Sequence, residues 1–382
     1  MKKFFSQDRE IIKFIAILFL IWRVSLLVIA LFGVKFFPSR IDYLGGGVEN
    51  YYQKPLVWGW ANFDGAHYLS IARQGYFQFE QAFFPFYPLL IRGLAKPFKN
   101  FLFSGLLISN LSLFFALILF YKLVRLDFGK EIAKRSLIYL LLFPTSFFFG
   151  SVYSESLFLA LILGSFYFAR KKNWLLAGIF GAFASATRVV GIFLFPALLV
   201  EWWEIKVKNS KLKVKGLLSL FFILFGLGFY MWYLKKTVGD PLYFIHVQPL
   251  FKAERTAGKF ILLYQVFWRY FKMILTTRMD PLYFAVWLEF LTAVVFLVLL
   301  ILAYFQKIRT SWLVFSVLAY LVPTLTGTFS SLPRYVLVIF PGFIILALLV
   351  EKYRWLKIIY PVLVGILLVI STIFFIRGFW VS

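Results

Sequence analysis

The first long apolar run of the chain, residues 11–33, reads IIKFIAILFLIWRVSLLVIALFG. A helix needs about 20 apolar residues to cross about 30 Å of hydrocarbon, and this run is long enough. It has no small-residue cleavage site, so we interpret it as a spanning helix and not as a removed signal peptide. Of the 382 residues, 62% are hydrophobic, 51 are Phe and only 15% are charged. Soluble domains are less apolar and more charged, so the sequence predicts an all-α polytopic membrane protein.

Apolar runs of this kind predict about eleven transmembrane helices. The four runs between 136 and 203 are too short to cross comfortably at about 1.5 Å per residue. We therefore expect hairpins there, with ends that reach a cavity inside the protein. The predicted helices are 11–33, 101–121, 136–150, 154–169, 174–186, 190–203, 216–234, 284–305, 311–328, 335–350 and 356–376.

The net charge of +25 is distributed in the manner of a membrane protein. Lysine and arginine cluster in the N-terminal tail and in the connections on the same side, such as 122–135 and 206–215, while the short turns on the other side carry almost none. This positive-inside pattern predicts a cytoplasmic N-terminus. Anionic lipid accounts for most of the basicity, so we expect membrane lipid, and no nucleic acid, as a partner.

We predict one integral-membrane domain, 1–382, with two long extracytoplasmic loops at 34–100 and 235–283. Long loops are exempt from the charge rule, which explains why both contain basic residues. The chain has no cysteine, so disulfides and thiolate metal sites are excluded.

The first of these loops contains NFDGAHYLSIARQGY, residues 62–76, with one acid and one of the two histidines of the chain. Residues 64–74 are predicted to form a helix that begins at Asp64 and presents Asp64, His67 and Tyr68 on one face. Asp64 is a good helix cap, so capping alone is a competing interpretation of this residue. Prolines mark the start of a second short helix within 83–92. We expect both helices to lie flat on the outer leaflet.

Three charged residues, Glu155, Arg188 and Arg334, fall at the outer ends of predicted helices, on the same side as Asp64. Charges at membrane depth are costly and usually mark a functional site. Arginine binds phosphate in a two-pronged manner, and a lipid phosphate is the natural anion at an outer leaflet. A structural Glu155–Arg188 ion pair is the competing interpretation. Glu289 and Arg23 are interpreted as packing groups.

Several further motifs follow in order along the chain and resemble a known family. They are Phe84-Pro85-x-Tyr87-Pro88-Leu89, Phe143-Pro144-Thr145, Tyr153-Ser154-Glu155-Ser156, Thr187-Arg188, Gly239-Asp240-Pro241-Leu242-x-Phe244-x-His246-x-Gln248 and Pro333-Arg334-Tyr335. Together with 62–76 they resemble the GPI mannosyltransferase II (PIG-V)-like family and its prokaryotic relatives. Phe63 stands where that family usually has Trp.

The resemblance implies a GT-C glycosyltransferase fold with its active site in the first outside loop. It also implies a polyprenyl-phosphate-linked sugar as donor, usually mannose, inversion at the anomeric carbon and no metal or other cofactor. The acidic position that acts as general base in the family corresponds to Asp64. The acceptor is expected to be a glycolipid, a glycan or a protein.

The predicted roles follow from this resemblance and from the residue chemistry. Asp64 takes the proton of the acceptor hydroxyl, and Arg188 and Arg334 hold the donor phosphate. The predicted substrate-binding residues are His67, Tyr68, Tyr153, Glu155, Asp240, His246, Gln248 and Tyr335.

Two alternatives remain open from the sequence. Asp64 and His67 are ligand types that hold Mg or Mn, although two ligands are few for such a site. A flippase or transporter of lipid-linked sugars would need no chemistry, but such proteins usually have internal repeats and interrupted helices at the midplane. We expect a prokaryotic plasma membrane as the location, with the active site on its extracytoplasmic side.

Overall fold

The computed structural model describes residues 2–208, 215–251, 255–256 and 260–381, and all regular elements in these ranges are helices. The predicted all-α architecture is therefore confirmed. The α-helices are α1 (Lys2–Phe36), α2 (Gly47–Gln53), α3 (Pro55–Trp58), α4 (Asp64–Gln74), α5 (Phe86–Phe98), α6 (Phe101–Leu142), α7 (Glu155–Arg170), α8 (Trp174–Thr187), α9 (Leu194–Lys208), α10 (Lys215–Leu220), α11 (Phe222–Thr237), α12 (Tyr243–His246), α13 (Leu263–Thr276), α14 (Pro281–Phe305), α15 (Thr310–Thr324), α16 (Leu332–Tyr335), α17 (Phe340–Lys352) and α18 (Leu356–Ile376). Short 3₁₀ segments are Gly59–Ala61, Glu80–Ala82, Ser146–Gly150, Val189–Phe193, Gln248–Phe251 and Val336–Val338.

Among the described helices, five are long and apolar enough to cross a membrane, and six if one bent pair is counted as a single span. Apolar side chains on these helices point outward: Leu20 in α1 is 61% exposed and Ile366 in α18 is 54% exposed. Such faces suit lipid and not water. The chain is thus a multi-pass membrane protein, while the predicted number of about eleven spans is not confirmed.

The helix α6 joins two of the predicted runs. Its 42 residues are interrupted at Gly129, where φ is 79° and the backbone leaves helical geometry. Glycine adopts positive φ without the steric penalty of a side chain. The end of the predicted helix 136–150 was wrong. The α6 helix ends at Leu142, and a separate 3₁₀ segment occupies Ser146–Gly150.

The predicted helix 335–350 is instead a bent pair. The segment Leu332–Val338 meets Phe340–Lys352 at 82°. The helical backbone is broken at Ile339, where φ is −82° and ψ is 61°, and Pro341 lies in the first turn of the second arm, where its missing N–H costs no helical hydrogen bond. The bend turns the short arm, which carries Arg334, across the end of the bundle.

A tight packing scheme connects these helices. The α6 helix packs against α5, α7 and α17, α8 packs between α7 and α11, and α1 packs along α18. Buried apolar side chains of these elements form one large core. A smaller cluster is formed by Phe84, Tyr230, Leu234 and Phe244, and it joins the first long loop to the second.

At one end of α7 an ion-pair network ties four parts of the bundle together. Arg170 Nη1 lies 2.5 Å from Asp127 Oδ2, and Arg309 Nε lies 2.9 Å from the same oxygen. The fully buried Glu201 adds contacts to Arg309 Nη1 at 3.3 Å and to Ser311 Oγ at 2.5 Å. Glu155 is the first residue of α7 and Arg170 is the last. At a rise of about 1.5 Å per residue, this network therefore lies more than about 20 Å from Glu155.

The two long loops, 34–100 and 235–283, are only partly as predicted. The helix at 64–74 is confirmed as α4, and the second short helix is α5, which begins directly after Pro85. The capping interpretation of Asp64 is wrong, because Asp64 is the first residue of α4, Phe63 occupies the cap position and no side-chain cap bond forms. The sequence reading missed α13, a 14-residue helix in the second loop.

Candidate active site

The segment that carries Asp64 is anchored by the buried side chain of Asn62. Its Nδ2 donates to the carbonyl oxygens of Phe375 and Ile376 at 2.8 and 3.1 Å, and its Oδ1 accepts from the Gly45 N–H at 2.6 Å. A buried amide that satisfies both of its ends in this way is expensive to replace. Asn62 therefore fixes the first outside loop to the end of α18.

Phe63, directly before Asp64, adopts an unusual backbone conformation. Its φ of 55° and ψ of −121° lie in a region that favours glycine. The ring packs against Tyr43 at a centroid distance of 5.1 Å and against Trp380 at 5.4 Å. Such strain costs on the order of 1–3 kcal/mol and persists where packing over-determines it. The aromatic contacts hold the turn that presents Asp64 at the start of α4.

Asp64 belongs to a chain of alternating charges. Arg334 Nη1 donates to Asp64 Oδ2 at 2.5 Å, and Arg334 Nε lies 3.4 Å from Glu155 Oε1. Arg188 Nη1 donates to the same Glu155 oxygen at 2.5 Å. The structure thus brings together all four charged residues that the sequence placed at the outer face. It also contains the Glu155–Arg188 ion pair that we had considered as a structural alternative.

The two acids of this chain differ in access. The side chain of Asp64 is 19% exposed, whereas that of Glu155 is 2% exposed. Burial raises the pKa of Asp64, but the charge and hydrogen bond of Arg334 outweigh this effect, so its pKa lies below the ordinary value. Asp64 is therefore the carboxylate that is both ionised and reachable.

Tyr335 is surrounded by three guanidinium groups. Its ring centroid lies 5.1 Å from Arg188, 5.4 Å from Arg334 and 5.7 Å from Arg255. Arg255 Nη2 donates to the Tyr335 hydroxyl at 2.9 Å, and Nη1 donates to Gln248 Oε1 at 2.9 Å. The sequence reading missed Arg255. The signal that would have found it was its basic charge beside Gln248 in a long loop.

The segment before Arg334 is fixed by Glu289, which we had interpreted as a packing group. The Tyr270 hydroxyl donates to Glu289 Oε2 at 2.6 Å, and the Ser331 N–H donates to Oε1 at 3.3 Å. Ser331 has a φ of 65°, and the Thr145 hydroxyl donates to the Pro333 carbonyl at 2.6 Å. Glu289 thereby positions the short helix that bears Arg334.

His67 lies on the exposed side of α4 and pairs with an acid from further along the first loop. Its Nδ1 lies 3.3 Å from Glu80 Oε1, and its ring stacks on Phe83 at 5.1 Å. Burial lowers the pKa of His67, but the opposing effect of Glu80 and Asp64 is larger, so the pKa of His67 lies above its ordinary value. Glu80 was not among the predicted site residues, although it is the one acid of 65–100.

Two of the predicted substrate-binding tyrosines have their hydroxyl groups bonded within the protein. Tyr68 shares a hydrogen bond of 3.0 Å with Ser154, and Tyr153 donates to the Asn62 carbonyl at 2.9 Å. Both side chains are buried. These contacts brace α4 against the start of α7, and the predicted role of Tyr68 and Tyr153 in substrate binding stays a prediction.

The polar set of the second loop forms a pair of its own. His246 Nδ1 lies 2.6 Å from Asp240 Oδ2, and more than half of the His246 side chain is exposed. The hydrogen bond to His246 lowers the pKa of Asp240 below its ordinary value. The α12 helix, which contains His246, packs against the 3₁₀ segment that contains Glu80.

Within the described ranges, no three His, Cys, Asp or Glu side chains are grouped closely enough to hold a metal ion. Asp64 is paired with Arg334, and His67 is paired with Glu80. Independence from metals stays a prediction for this chain.

A family model described as mannosyltransferase (PIG-V) matches residues 1–230, which is more than half of the chain. The chain belongs to the mannosyltransferase (PIG-V) family. This match confirms the resemblance to the PIG-V-like family that the motifs indicated. It covers Asp64, Glu155 and Arg188 and ends before Arg255 and Arg334. A search of curated proteins found no match.

Solved structures similar to this PIG-V family member include the oligosaccharyltransferase of Archaeoglobus fulgidus. The apo form has 13% sequence identity and a TM-score of 0.42, with 94% of this chain and 56% of that chain covered. The form tethered to an acceptor peptide has 14% identity and a TM-score of 0.42, with 94% and 55% covered. The family member thus spans about half of the length of that enzyme.

Proposed function

We propose that this protein transfers a hexose, preferably mannose, from a polyprenyl-phosphate sugar to an acceptor hydroxyl. The observation that carries the proposal is the ionised, partly exposed Asp64 beside the arginine cluster around Tyr335. A base and a cationic site next to each other are what this transfer requires. Membership of the mannosyltransferase (PIG-V) family supports the sugar class.

The reaction is a single displacement. Asp64 accepts the proton of the acceptor hydroxyl, whose oxygen attacks the anomeric carbon of the donor sugar. The new bond between that oxygen and the carbon forms while the bond from the carbon to the phosphate oxygen breaks, which inverts the anomeric centre. The electron pair of the broken bond leaves with the polyprenyl phosphate.

The second carboxylate oxygen of Asp64 is available for this proton. Arg334 donates to Oδ2, and the described residues provide no other hydrogen bond to the Asp64 side chain. A low pKa keeps Asp64 ionised at neutral pH, while it makes the carboxylate a weaker base. The good leaving ability of a phosphate offsets that weakness, because little negative charge is needed on the attacking oxygen.

The arginines stabilise the negative charge of the departing phosphate. Arg188 and Arg334 are held in place by Glu155, and fixed cations need no reorganisation during the reaction. Burial strengthens their interaction with an anion. The proposal needs no metal. It places the reaction at the extracytoplasmic face of a prokaryotic plasma membrane.

The test uses purified protein in lipid with a radiolabelled polyprenyl-phosphate mannose and crude membrane acceptors. Wild type is expected to consume the lipid-linked label, and Asp64→Asn is expected to consume it on the order of 10²–10⁴ times more slowly, as for a lost general base. Asp64→Asn keeps the size of the side chain and should still bind the donor. Normal turnover by Asp64→Asn would reject Asp64 as the base. Movement of the intact donor across the membrane without transfer would reject the enzyme in favour of a flippase.

A further inference from the structure

The three arginines around Tyr335 are not equivalent. Arg188 and Arg334 each have a carboxylate within ion-pair distance, as described above. Arg255 has only neutral partners among the described residues: Gln248, the Ser330 carbonyl and Tyr335. Glu289 interacts with Arg255 through its charge, but its carboxylate is hydrogen-bonded to Tyr270 and Ser331 and is not within ion-pair distance of Arg255.

Among the described residues, Arg255 is the guanidinium of this cluster that has no carboxylate within ion-pair distance. Its charge lies next to Tyr335 and is partly buried. A partly buried charge without a close counter-ion is unfavourable unless an anion neutralises it. The phosphodiester of a lipid-linked sugar is an anion of the required sign.

The hydroxyl of Tyr335 gives a second, independent indication of an anion. It accepts a hydrogen bond from Arg255, so its own proton points elsewhere, and the described residues provide no acceptor for it. Tyr335 is only half-buried, so a ligand oxygen is able to reach it. An arginine and a tyrosine that donate side by side are suited to two oxygens of one phosphate.

From these observations we infer that Arg255 and the Tyr335 hydroxyl bind the phosphate of the lipid-linked donor directly, while Arg188 and Arg334 remain bound to the two acids and stabilise the charge of the phosphate without contacting it. This inference rests on the proposed function, and it assigns the phosphate site to a residue that the sequence reading missed. Arg334 then has a different main task, which is to control the charge state of Asp64.

The assignment also explains the position of the second outside loop. Gln248 accepts from Arg255 and donates to the Phe244 carbonyl at 3.2 Å, and Phe244 packs on Phe84 of the first loop. The phosphate site is thus built from both outside loops and from the short arm with Tyr335.

The experiment measures binding to the protein in lipid nanodiscs with three probes: farnesyl phosphate, farnesol and inorganic phosphate. Wild type is expected to bind farnesyl phosphate more tightly than either of the other two. Arg255→Gln should raise the Kd of farnesyl phosphate about 10-fold or more, which is typical of a lost hydrogen bond to a charged group. The Kd of farnesol should not change.

Three further variants serve as controls. Arg255→Lys keeps the charge and should lose less affinity than Arg255→Gln, and Tyr335→Phe should weaken binding without removing a charge. The exposed Arg278 lies in the same loop, so Arg278→Gln makes the same charge change and should bind like wild type. Thermal unfolding of each variant shows that it is folded.

The outcomes separate this inference from the proposed function. If wild type prefers farnesyl phosphate but Arg255→Gln and Tyr335→Phe bind it equally well, the phosphate site lies elsewhere and only this inference fails. If wild type does not prefer farnesyl phosphate over farnesol, the donor class itself is wrong. Equally tight binding of inorganic phosphate would overturn a lipid-linked source.

Discussion

Replacing Arg334 by glutamine is expected to change the pH dependence of sugar transfer in a direction that the structure determines. Arg334 Nη1 lies 2.5 Å from Asp64 Oδ2 and holds the pKa of this carboxyl below its ordinary value. The proton-accepting form is the carboxylate, so activity is present above the pKa of Asp64 and is lost as the pH falls through it. Wild type should therefore show no loss from this group between about pH 5 and about pH 8.

The size of the change follows from the contact distance. An opposite charge within hydrogen-bonding distance lowers a carboxyl pKa by about 1–3 units. Without Arg334 this effect disappears, and the burial of Asp64, which raises its pKa, remains. The pKa should rise by about the same 1–3 units, and each unit corresponds to about 1.4 kcal/mol. The acid limb of Arg334→Gln should then lie at higher pH than that of wild type, so the measured range extends below about pH 5 until the wild-type limb is reached.

The assay is kcat/KM for transfer from the lipid-linked donor, measured across this pH range for wild type and for Arg334→Gln. The position of the limb is the readout, because the absolute rate also falls when a cation near the phosphate is removed. Arg334→Lys should give a smaller shift, and the exposed Arg278→Gln should give none. An unchanged profile in Arg334→Gln would refute the coupling of Arg334 to the catalytic base.

One further variant identifies the titrating group. Glu155 also faces Arg334, at 3.4 Å, so the new limb has two candidate sources. In the double variant Glu155→Gln with Arg334→Gln, Asp64 is the remaining carboxyl of the pair, and the limb should persist. Disappearance of the limb would assign it to Glu155 and contradict the role of Asp64.

Three other predictions concern the surroundings of the site. Glu201→Gln should lower the free energy of unfolding by about 3 kcal/mol, because a buried charge partner of Arg309 is lost. Sugar transfer per folded molecule should not change. Thermal unfolding measures the first effect and the transfer assay the second, and a loss of activity without a loss of stability would contradict the prediction. Asn62→Ala should destabilise the protein by about 1–3 kcal/mol and reduce sugar transfer, because it releases the segment that holds Asp64. If the variant keeps the activity and the unfolding temperature of wild type, this anchor is dispensable. The pairing of His67 with Glu80 raises the pKa of His67. The contribution of this pair to stability is therefore complete below about pH 6.5 and is lost as the pH rises through the raised pKa. The unfolding temperatures of wild type and His67→Gln should converge at high pH, and a difference that stays constant with pH would refute this prediction.

Much of the architecture was predictable because it depends on local composition. A run of about 20 apolar residues is incompatible with any environment except lipid or a large core, so 11–33 and 284–305 were identified correctly as helices. The signals of α4 are equally local, since its start at Asp64 and its stop at Gly75 are set by residues within the segment. The break at Gly129 and the bend before Pro341 were missed, although glycine and proline mark both.

The sequence by itself determined that this is an all-helical membrane protein and that it resembles the mannosyltransferase family, and it predicted which charged residues lie on one side of the membrane. These properties depend on hydropathy, on charge asymmetry and on short motifs, all of which are local. Only the tertiary structure decided the pairing of charges: Arg334 with Asp64, Arg188 with Glu155 and Arg255 with no carboxylate among the described residues. Asp64 and Arg334 are 270 positions apart in the chain. Which of several arginines meets a given carboxylate is set by packing of distant helices, and no property of either residue alone contains that information.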